Sequence, residues 1–235
     1  MTQTCTQCIL DSSDPQATFN SEGICYHCSK WNPHPEFYGK LPNGIKAWET
    51  ELLPQIVKVN HYPKYNALIG VSGGVDSTYL CYIMKRYPEI RPLLVHVGSC
   101  FDSETALSNL QILKDKTGYD LVTPKIDEKE LIALLKAYLY ASVLDTDVPQ
   151  DYLIESFTRL YARKHHIKYI LSGGNYFADA FMPYSWTYAN KLDFTNLITI
   201  YNKFGNKTPL KTIPKYGAWS FMWDKYINKI QYKTP

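Results

Sequence analysis

The sequence predicts an α/β protein in which helices flank a parallel β-sheet, with a small cysteine-rich unit ahead of the sheet. Short apolar runs that suit buried strands alternate with longer segments whose apolar positions recur at helical spacing. This alternation favours a parallel sheet, because each return to the same edge of a sheet needs a crossover connection. Two Cys-x2-Cys pairs precede the first strand candidate.

Length and composition limit the class of protein. The chain has 235 residues, which allows one large domain with a small appendage but not three compact domains. Hydrophobic residues make up 45% and charged residues 20%, so a sizeable core can form, and disordered or collagen-like compositions are excluded. The sequence shows neither a long apolar span nor a signal-peptide pattern, so we expect a cytoplasmic protein with reduced thiols and no membrane partner.

The net charge of +3 is unevenly distributed. Residues 201–235 contain seven lysines and a single acidic residue, Asp224, which gives +6 and leaves −3 for the rest of the chain. Such a basic segment is either a solvated face or a surface that attracts a phosphorylated substrate. The overall charge is too small to indicate a nucleic-acid scaffold, so we expect no nucleic-acid partner.

The cysteine spacing predicts a structural zinc site. Sixteen residues separate the two Cys-x2-Cys pairs, within the range of four-cysteine sites. Gly23 suits the tight turn of a zinc knuckle, whereas His27 inside the second pair is left out of the ligand set. A closed tetrahedral site has no position for substrate, so the metal should stabilise structure only. The predicted ligands are Cys5, Cys8, Cys25 and Cys28.

The chain divides into three regions. We assign residues 1–40 to the zinc-binding knuckle, 41–63 to a connector, and 64–235 to the nucleotide-binding domain. The connector should contain one amphipathic helix over about 44–59 that is interrupted or kinked at Pro54.

The strongest chemical signal is the loop Ser72-Gly73-Gly74-Val75-Asp76-Ser77. It follows an apolar strand candidate over 65–71 and precedes a helix over about 76–86. Adjacent glycines allow a close backbone approach to an anion, and the helix start offers unpaired N–H groups and a positive dipole end. The loop therefore suits a pyrophosphate, with an ordinary βα turn as the alternative. Neither the G-x-x-x-x-G-K-[ST] nor the G-x-G-x-x-G pattern is present at this loop.

Further elements continue the alternation. We predict strands over 92–97, 119–124 and 168–171, and helices over about 104–117, 127–143 and 150–165. The last strand ends in Ser172-Gly173-Gly174-Asn175. Because the carboxyl ends of parallel strands share one edge, both Gly-Gly loops should face one ligand site.

The first loop resembles the signature of the PP-loop ATP pyrophosphatases, which have the adenine nucleotide alpha hydrolase-like fold. The order of motifs along most of the chain resembles the N-acetyl sugar amidotransferase family, enzymes of lipopolysaccharide O-antigen and nonulosonic acid biosynthesis. The motifs that carry the resemblance are Cys5-Thr-Gln-Cys8, Ser13-Asp14-Pro15, Gly23-Ile-Cys25-Tyr-His-Cys28, Ser72 to Ser77, His96-Val97, Ser103-Glu104, Ile170-Leu-Ser-Gly-Gly-Asn175, Ser185-Trp186, Asn196-Leu197, Lys203-Phe204-Gly205 and Leu210-Lys211-Thr212.

The resemblance implies an ATP-dependent synthetase that adenylates a carbonyl oxygen of an N-acetyl sugar or a uronate and replaces it with ammonia. The products would be an amidine or an amide, with AMP and pyrophosphate. It implies the cofactors ATP, Mg2+ and Zn2+, a nucleotide-sugar or sugar substrate, and a glutaminase that supplies ammonia. No glutaminase nucleophile motif is visible in the chain, so we expect a separate subunit.

Site residues follow from this resemblance. Asp76 and Ser77 are the candidate catalytic residues, with Asp76 supporting Mg2+. The candidate residues for binding the nucleotide or bordering the acceptor are Gly70, Ser72, Gly73, Gly74, Ser77, Val97, Gly173, Gly174 and Asn175. For Tyr184, Trp186 and Asn190, contact with the sugar competes with a core role, and for Lys207 and Lys211, phosphate contact competes with a solvated face.

The chain departs from the family pattern in two places. Gly98 and Asp102 stand where the family has an acidic and an amide residue, and family members continue beyond the length of this sequence. We therefore expect a domain shortened at its carboxyl terminus.

Two alternative functions remain open from the sequence. A tRNA thiolase of the same superfamily would use cysteines to relay sulfur or to hold an iron–sulfur cluster, but only Cys81 and Cys100 lie outside the four-cysteine set. A catalytically silent ATP-binding scaffold subunit would keep the loop without turnover. Release of pyrophosphate that depends on ammonia and sugar separates the scaffold from the enzyme.

Overall fold

The computed structural model describes residues 2–31, 44–58, 64–174 and 190–233. Within these ranges no helix combines the length and apolar character that crossing a bilayer requires. The elements are, in chain order, α1 (Tyr26–Trp31), α2 (Gly44–Ala47), a π-helical turn (Trp48–Leu52), α3 (Leu53–Lys58), β1 (Ala67–Gly70), α4 (Val75–Met84), β2 (Pro92–Val95), α5 (Glu104–Thr117), β3 (Asp120–Val122), α6 (Glu128–Tyr140), α7 (Val148–Lys164), β4 (Tyr169–Leu171), α8 (Phe194–Phe204), α9 (Ala218–Met222), a second π-helical turn (Trp223–Ile227) and β5 (Gln231–Lys233).

The five strands form one parallel sheet in the order β3-β2-β1-β4-β5. This arrangement, with helices around a parallel sheet and a four-cysteine cluster in the amino-terminal region, confirms the predicted fold class. β1 is the central strand. β2 and β3 lie on one side of it, and β4 and β5 lie on the other. The order therefore reverses between β1 and β4, and a crevice at the carboxyl ends of such strands is where open α/β sheets bind ligands.

Helices cover both faces of the sheet. On β1, Leu68 faces one side while Ala67 and Ile69 face the other, because alternate residues of a strand point in opposite directions. The Leu68 side packs against α6, α7 and α8. The opposite side packs against α4, α5 and the helical segment 44–58. Burial on both faces explains why the central strands read as continuous apolar runs.

Local signals fix several helix boundaries. The Ser103 hydroxyl accepts a hydrogen bond from the Ala106 amide at 3.1 Å and caps the start of α5, while Gly118 ends it with φ of +72°. The predicted bounds of α5 match the structure. Each of the strands β1 to β4 is one to three residues shorter than predicted.

Five elements were not predicted, namely α1, α8, α9, the second π-helical turn and β5. α8 begins at an Asp193 cap that accepts from the Asn196 amide at 3.0 Å, and it buries Leu197, Ile200 and Tyr201. The Asp193 cap and the spacing of the apolar residues are local helix signals that the sequence analysis did not use. β5 is three residues long and lacks a hydrophobic run, so only its pairing with β4 defines it as a strand.

The helix predicted over 44–59 is present across 44–58 and is interrupted, as expected from Pro54. The amide of Leu53 donates to the Trp48 carbonyl, which makes the turn π-helical. Proline lacks an N–H group and its ring displaces the carbonyl one turn earlier, and a wider turn relieves that conflict. Trp48, Leu53 and Ile56 are buried against the sheet face that carries α4 and α5.

A buried carboxylate anchors the segment that leads to β5. Asp224 is fully buried and accepts hydrogen bonds from Arg163 Nε at 2.8 Å, Tyr216 OH at 2.7 Å and Asn228 Nδ2 at 2.7 Å. One cation and two neutral donors thus compensate the charge, as a buried carboxylate requires. These bonds hold the chain in position to add β5 to the sheet.

A second buried carboxylate ties residues 210–213 to α6. Glu130 is 4% exposed and accepts hydrogen bonds from the Thr212 amide at 2.7 Å and the Thr212 hydroxyl at 2.8 Å. Burial opposes ionisation, but the backbone N–H groups of Thr212 and Lys211 outweigh it and lower the pKa of Glu130. The ionised form therefore stabilises the folded state.

We predict that Glu130→Gln lowers the free energy of unfolding by about 1–3 kcal/mol at pH 7, because a charged acceptor is lost. Because the pKa of Glu130 is lowered in the folded state, its carboxylate stabilises the fold at pH values above the unfolded pKa of about 4.3. This stabilisation disappears as the pH falls through the pKa of the folded state. Urea unfolding at pH 7 and in acid should show a smaller pH dependence in the variant. Glu128→Gln, at an exposed position in the same helical turn, is the control. Equal stability of the two variants at pH 7 would contradict the anchoring role.

Candidate functional site

The loop between β1 and α4 is open to solvent at the carboxyl edge of the sheet. Ser72, Gly74, Val75 and Asp76 are exposed. The Ser77 hydroxyl accepts from the Ser72 amide at 3.3 Å, and the Ser72 hydroxyl accepts from the Gly74 amide at 3.3 Å. The two hydroxyls brace the loop, and the first-turn amides of α4 have no carbonyl one turn earlier to bond. This arrangement offers backbone donors and a helix dipole to an anion.

Gly73 is the point at which the loop meets α5. Its φ is +77°, and a Cβ atom there would lie 2.4 Å from the Ala106 carbonyl oxygen. Asn109 Nδ2 donates to the Gly73 carbonyl at 3.0 Å. The left-handed backbone and the close approach both require glycine at this position.

The second Gly-Gly loop touches the first. A Cβ atom on Gly173 would lie 3.1 Å from the Asp76 carbonyl oxygen and 3.3 Å from the Ser77 amide. The Ser172 amide donates to the Lys233 carbonyl at 2.9 Å, so β5 supports this loop from its other side. The structure therefore brings together the two loops that the sequence placed at one sheet edge.

A cavity of about 250 Å³ opens beside these loops. There is free space beside Gly70, because a Cβ atom built there would have no heavy atom of the described residues within 4 Å, its chain neighbours apart. The lining comprises the carboxyl ends of β1, β2 and β4, one face of α7 and a side chain of β5. Its residues are Gly70, Val71, Ser72, Val95, His96, Val97, Asp102, Gln150, Ile154, Glu155, Thr158, Ile170, Leu171, Ser172, Gly173 and Tyr232.

The predicted site residues are distributed as follows. Of the predicted set, Gly70, Ser72, Val97 and Gly173 line the cavity. The remaining predicted residues of the first loop lie immediately beside it, and Gly174 follows Gly173 in the second loop. Three predicted residues, Tyr184, Trp186 and Asn175, lie outside the described part of the chain.

Three further candidates lie away from the cavity. Asn190 lines a separate cleft with Phe194 and Met222. Lys207 and Lys211 are exposed and are not among the residues that line the cavity, so the structure gives no support to a phosphate contact for either.

Several cavity residues were missed by sequence reasoning. Gln150, Glu155 and Thr158 share one face of α7, and Tyr232 comes from β5. The helical spacing on α7 could have grouped the first three, but only the packing of α7 on the sheet shows which face turns to the cavity.

The four predicted metal ligands form one cluster. Their Sγ atoms all lie within 4.8 Å of one another, and Sγ of Cys8 and Sγ of Cys25 are 3.7 Å apart. The Cys25 amide donates to Sγ of Cys5 at 3.2 Å, and the Cys28 amide donates to Sγ of Cys25 at 3.3 Å. Gly23 has φ of +74°, as its predicted turn requires. The cluster fits a single metal ion held by four thiolates.

The thiols of the cluster differ in acidity. Burial opposes ionisation of Cys5, but hydrogen bonds from backbone N–H groups, those of Cys25 and Gln7 first, lower its pKa to about 6. Burial is the main cause that raises the pKa of Cys28, and the neighbouring cysteine side chains raise it further. The Cys5 thiolate therefore forms readily, whereas ionisation of Cys28 near neutral pH would need a bound cation.

The two remaining cysteines belong to the main domain. Cys81 is fully buried in α4, and burial raises the pKa of its thiol to about 12. Cys100 is half-buried in the loop after β2, and burial again raises its pKa. High pKa values keep both thiols protonated and poorly nucleophilic.

No protein-family model and no curated protein matches this chain. Similar solved structures include the NH3-dependent NAD synthetase from Campylobacter jejuni, with 15% identity over 52% of this chain and 53% of that chain, at a TM-score of 0.41. The glutamine-dependent NAD+ synthetase from Acinetobacter baumannii in complex with ADP is 15% identical over 72% of this chain and 36% of that chain, with a TM-score of 0.43. The U34-tRNA thiolase NcsA from Methanococcus maripaludis is 11% identical over 97% of this chain and 85% of that chain, with a TM-score of 0.37.

This chain thus spans about half of the Campylobacter enzyme and about a third of the Acinetobacter enzyme. All three TM-scores are below 0.5, so the fold is defined by the strand order and register of the chain itself.

We predict that alanine lowers stability at Gly73, in the loop after β1, but not at Gly70, the last residue of β1. Gly73→Ala should lower the free energy of unfolding by more than about 1–2 kcal/mol, because the left-handed backbone and the Ala106 carbonyl both oppose a Cβ atom. Gly70→Ala places its methyl group in open space and should leave stability within about 0.5 kcal/mol of the parent protein. Denaturant unfolding of both variants tests the pair. Equal losses would show that the loop relaxes around Gly73.

We predict that Cys25→Ser abolishes stable metal binding and exposes the amino-terminal region to protease, because the ion loses a thiolate from a closed set. Metal analysis after dialysis and limited proteolysis measure this. Cys100→Ser, outside the cluster, is the control and should retain about one ion per chain. Full metal content in Cys25→Ser would rule out the four-thiolate site.

Proposed function

We propose that this protein is a PP-loop ATP pyrophosphatase that activates a carbonyl oxygen with AMP and replaces it with ammonia. One observation carries the proposal: an exposed Gly-Gly loop with two serine hydroxyls lies at the start of α4, where the strand order reverses. The backbone amides there suit the pyrophosphate group that leaves when ATP transfers AMP.

In this proposal ATP extends from the loop into the cavity. Ser72, Gly73, Gly74 and Ser77 hold the pyrophosphate, and Asp76 supports Mg2+. The nucleoside lies over Gly70 and against Val97, in the space that a side chain at position 70 would fill. Because no lysine or arginine is among the described cavity residues, backbone dipoles and Mg2+ supply most of the positive field.

The acceptor is an N-acetyl sugar or a uronate, as the family resemblance suggests. Its carbonyl or carboxylate oxygen attacks the α-phosphorus of ATP, and the bond to pyrophosphate breaks. Ammonia then adds to the activated carbon, and AMP departs with the original oxygen to leave an amidine or an amide. Asp76 would act by supporting the Mg2+ that neutralises the phosphates, and Ser77 by orienting them, because phosphoryl chemistry depends mainly on positioning and charge.

Polar side chains of α7 give the acceptor a place to bind. Gln150, Glu155 and Thr158 line the cavity from α7, which packs on the sheet face opposite α4 and α5. Carboxylate, amide and hydroxyl groups are suited to the hydroxyls of a sugar. A separate glutaminase subunit supplies ammonia, which avoids the protonated form that dominates in solution and limits competition from water.

Zinc is the ion that we assign to the cysteine cluster, with a structural role. A Zn–S bond of about 2.3 Å in a tetrahedron places sulfurs about 3.8 Å apart, close to the 3.7 Å between Sγ of Cys8 and Sγ of Cys25. An iron–sulfur cube would separate its thiolates further than the 4.8 Å that contains all four sulfurs.

The cysteine positions disfavour the tRNA thiolase alternative. Cys81 is inaccessible within α4 and Cys100 is half-buried with a raised pKa, so neither is an activated nucleophile for sulfur transfer. The zinc assignment leaves no open cluster position for sulfide.

The proposal is tested by measuring pyrophosphate release from ATP and Mg2+ with ammonium and a panel of N-acetyl sugars, uronates and their nucleotide-linked forms. The expected result is release that requires both ammonium and one acceptor, with mass spectrometry showing an oxygen atom replaced by an NH group. ATP binding without any acceptor-dependent turnover would identify a scaffold subunit instead. A metal-replete protein that does not bind ATP would overturn the proposal.

We predict that Ser72→Ala slows this turnover by about 10- to 150-fold, which corresponds to the roughly 1.5–3 kcal/mol of a hydrogen bond to a charged group. Ser108→Ala, on the exposed surface of α5, should be neutral. Unfolding measurements on both proteins separate lost chemistry from lost structure. An unchanged rate in Ser72→Ala would remove that hydroxyl from the site.

A further inference from the structure

The helical segment 218–227, which comprises α9 and the second π-helical turn, carries an apolar stripe on its outer side. Its members follow the spacing i, i+3, i+4, i+7 and i+8, which places them along one side of a helix. All of them are exposed, and two are tryptophans with exposed fractions of 84% and 56%. Exposed apolar side chains grouped in this way mark an interaction surface. The stripe consists of Trp219, Met222, Trp223, Tyr226 and Ile227.

The inner side of the same segment fixes the stripe toward solvent. Phe221 packs against the core on the α7 side of the sheet, and the Arg159 guanidinium lies over its ring at 4.9 Å from the centroid. Asp224 is fully buried and accepts from Arg163 and Tyr216, as described above. These contacts set the rotation of the helix about its axis, so the stripe cannot turn inward without breaking them.

The charged side chains of this part of the chain are positive. Lys225 Nζ lies 5.4 Å from the ring centroid of Tyr226, at the edge of the stripe. Lys229 is exposed two residues after the π-helical turn. Asp224 is the single acidic residue of the segment 201–235, and it is buried in its hydrogen-bond network. The stripe is therefore flanked by lysines and attracts an anionic surface.

A cleft of about 160 Å³ adjoins the end of the stripe. Ile227 forms part of its wall, together with Arg163, His166 and Lys168. Aspartate and glutamate are absent from the described residues that line it. Because Arg163 also pairs with Asp224, the charge of Lys168 is the one that makes the cleft net positive. An anionic group such as a phosphate can be held there beside the apolar stripe.

The composition of this surface favours lipid over protein. Tryptophan and tyrosine are enriched where a bilayer meets water, because their rings are apolar and carry a polar edge. Protein interfaces also use aromatic residues, but they are depleted in lysine. Helices that lie on membranes combine aromatic and aliphatic residues on one side with lysine beside them. A second copy of the chain would bring two sets of lysines together, which repel each other.

We propose that segment 218–227 binds the surface of an anionic phospholipid bilayer. The apolar stripe enters the headgroup layer, while Lys225, Lys229 and the cleft at Lys168 meet lipid phosphates. The lack of a long apolar span led us to expect no membrane partner, but a helix that lies in the interface needs no such span. This inference does not depend on the proposed function. Since the stripe has only five residues, the binding is reversible.

The first test uses the full-length, metal-replete protein and flotation with two kinds of vesicle. One kind is phosphatidylcholine alone, and the other contains about one-third phosphatidylglycerol to provide anionic headgroups. The protein should float with the anionic vesicles and bind the neutral ones at least about tenfold more weakly. Salt at about 0.5 M should weaken the anionic binding by screening. Equal binding to both kinds, or none to the anionic kind, overturns the proposal.

Single substitutions assign the binding to the stripe. Trp219→Gln and Trp223→Gln should each weaken binding to anionic vesicles by about tenfold, because a large apolar side chain leaves the interface. Lys225→Gln should weaken it by about fivefold. Leu144→Gln, at a 79% exposed position between α6 and α7, and Lys116→Gln on α5 are the matched controls and should bind like the parent. All five side chains are exposed, so thermal unfolding should be unchanged.

The final test asks whether the stripe enters the lipid. Brominated acyl chains quench nearby tryptophan, so anionic vesicles that contain them should quench the fluorescence of the bound parent. At lipid concentrations that bind both proteins, the double variant Trp219→Gln/Trp223→Gln should be quenched much less. Equal quenching would show that another part of the chain inserts and would refute the proposal. Absence of vesicle binding, with self-association of the parent that Trp219→Gln abolishes, would assign the stripe to a protein interface instead.

Discussion

The contact between the Gly73 backbone and the Ala106 carbonyl is the constraint on which the carboxyl edge of the sheet depends. A Cβ atom at position 73 would lie 2.4 Å from that oxygen, so the loop after β1 and the first turn of α5 can approach only when the side chain is absent. The same principle operates at Gly173, which lies against the Asp76 backbone. A side chain at either position would meet the backbone that packs against it, so this close approach depends on glycine at both places.

The strand order turns this local packing into a site. β1 is central and its neighbours β2 and β4 lie on opposite sides of it, so the strand order reverses at β1 and a cavity opens at the carboxyl ends of these strands. α7 covers the crevice on one side and brings Gln150, Glu155 and Thr158 into it. Residues from five separate parts of the chain therefore meet in one cavity because the sheet is parallel and its order reverses at β1.

The electrostatics of this cavity differ from those of a typical phosphate site built on lysine or arginine. Its described lining contains Asp102 and Glu155 and no fixed cation, so an anion must rely on helix and backbone dipoles and on any metal ion that it brings. In such a site the exact position of the amides matters more than the total charge.

The sequence by itself determined the α/β class, the helix α5 with its Ser103 cap and Gly118 end, and the positions of the Gly-Gly loop after β1 and of the cysteine cluster. Each of these is encoded locally, in periodicity, capping residues, adjacent glycines or ligand spacing. Only the tertiary structure decided that β5 joins the sheet, that α7 turns Glu155 into the cavity, and that His96 joins Val71 to Asp102. These features depend on contacts between residues far apart in the chain. A three-residue edge strand, one face of a helix or a buried histidine has no local pattern that reveals its partner.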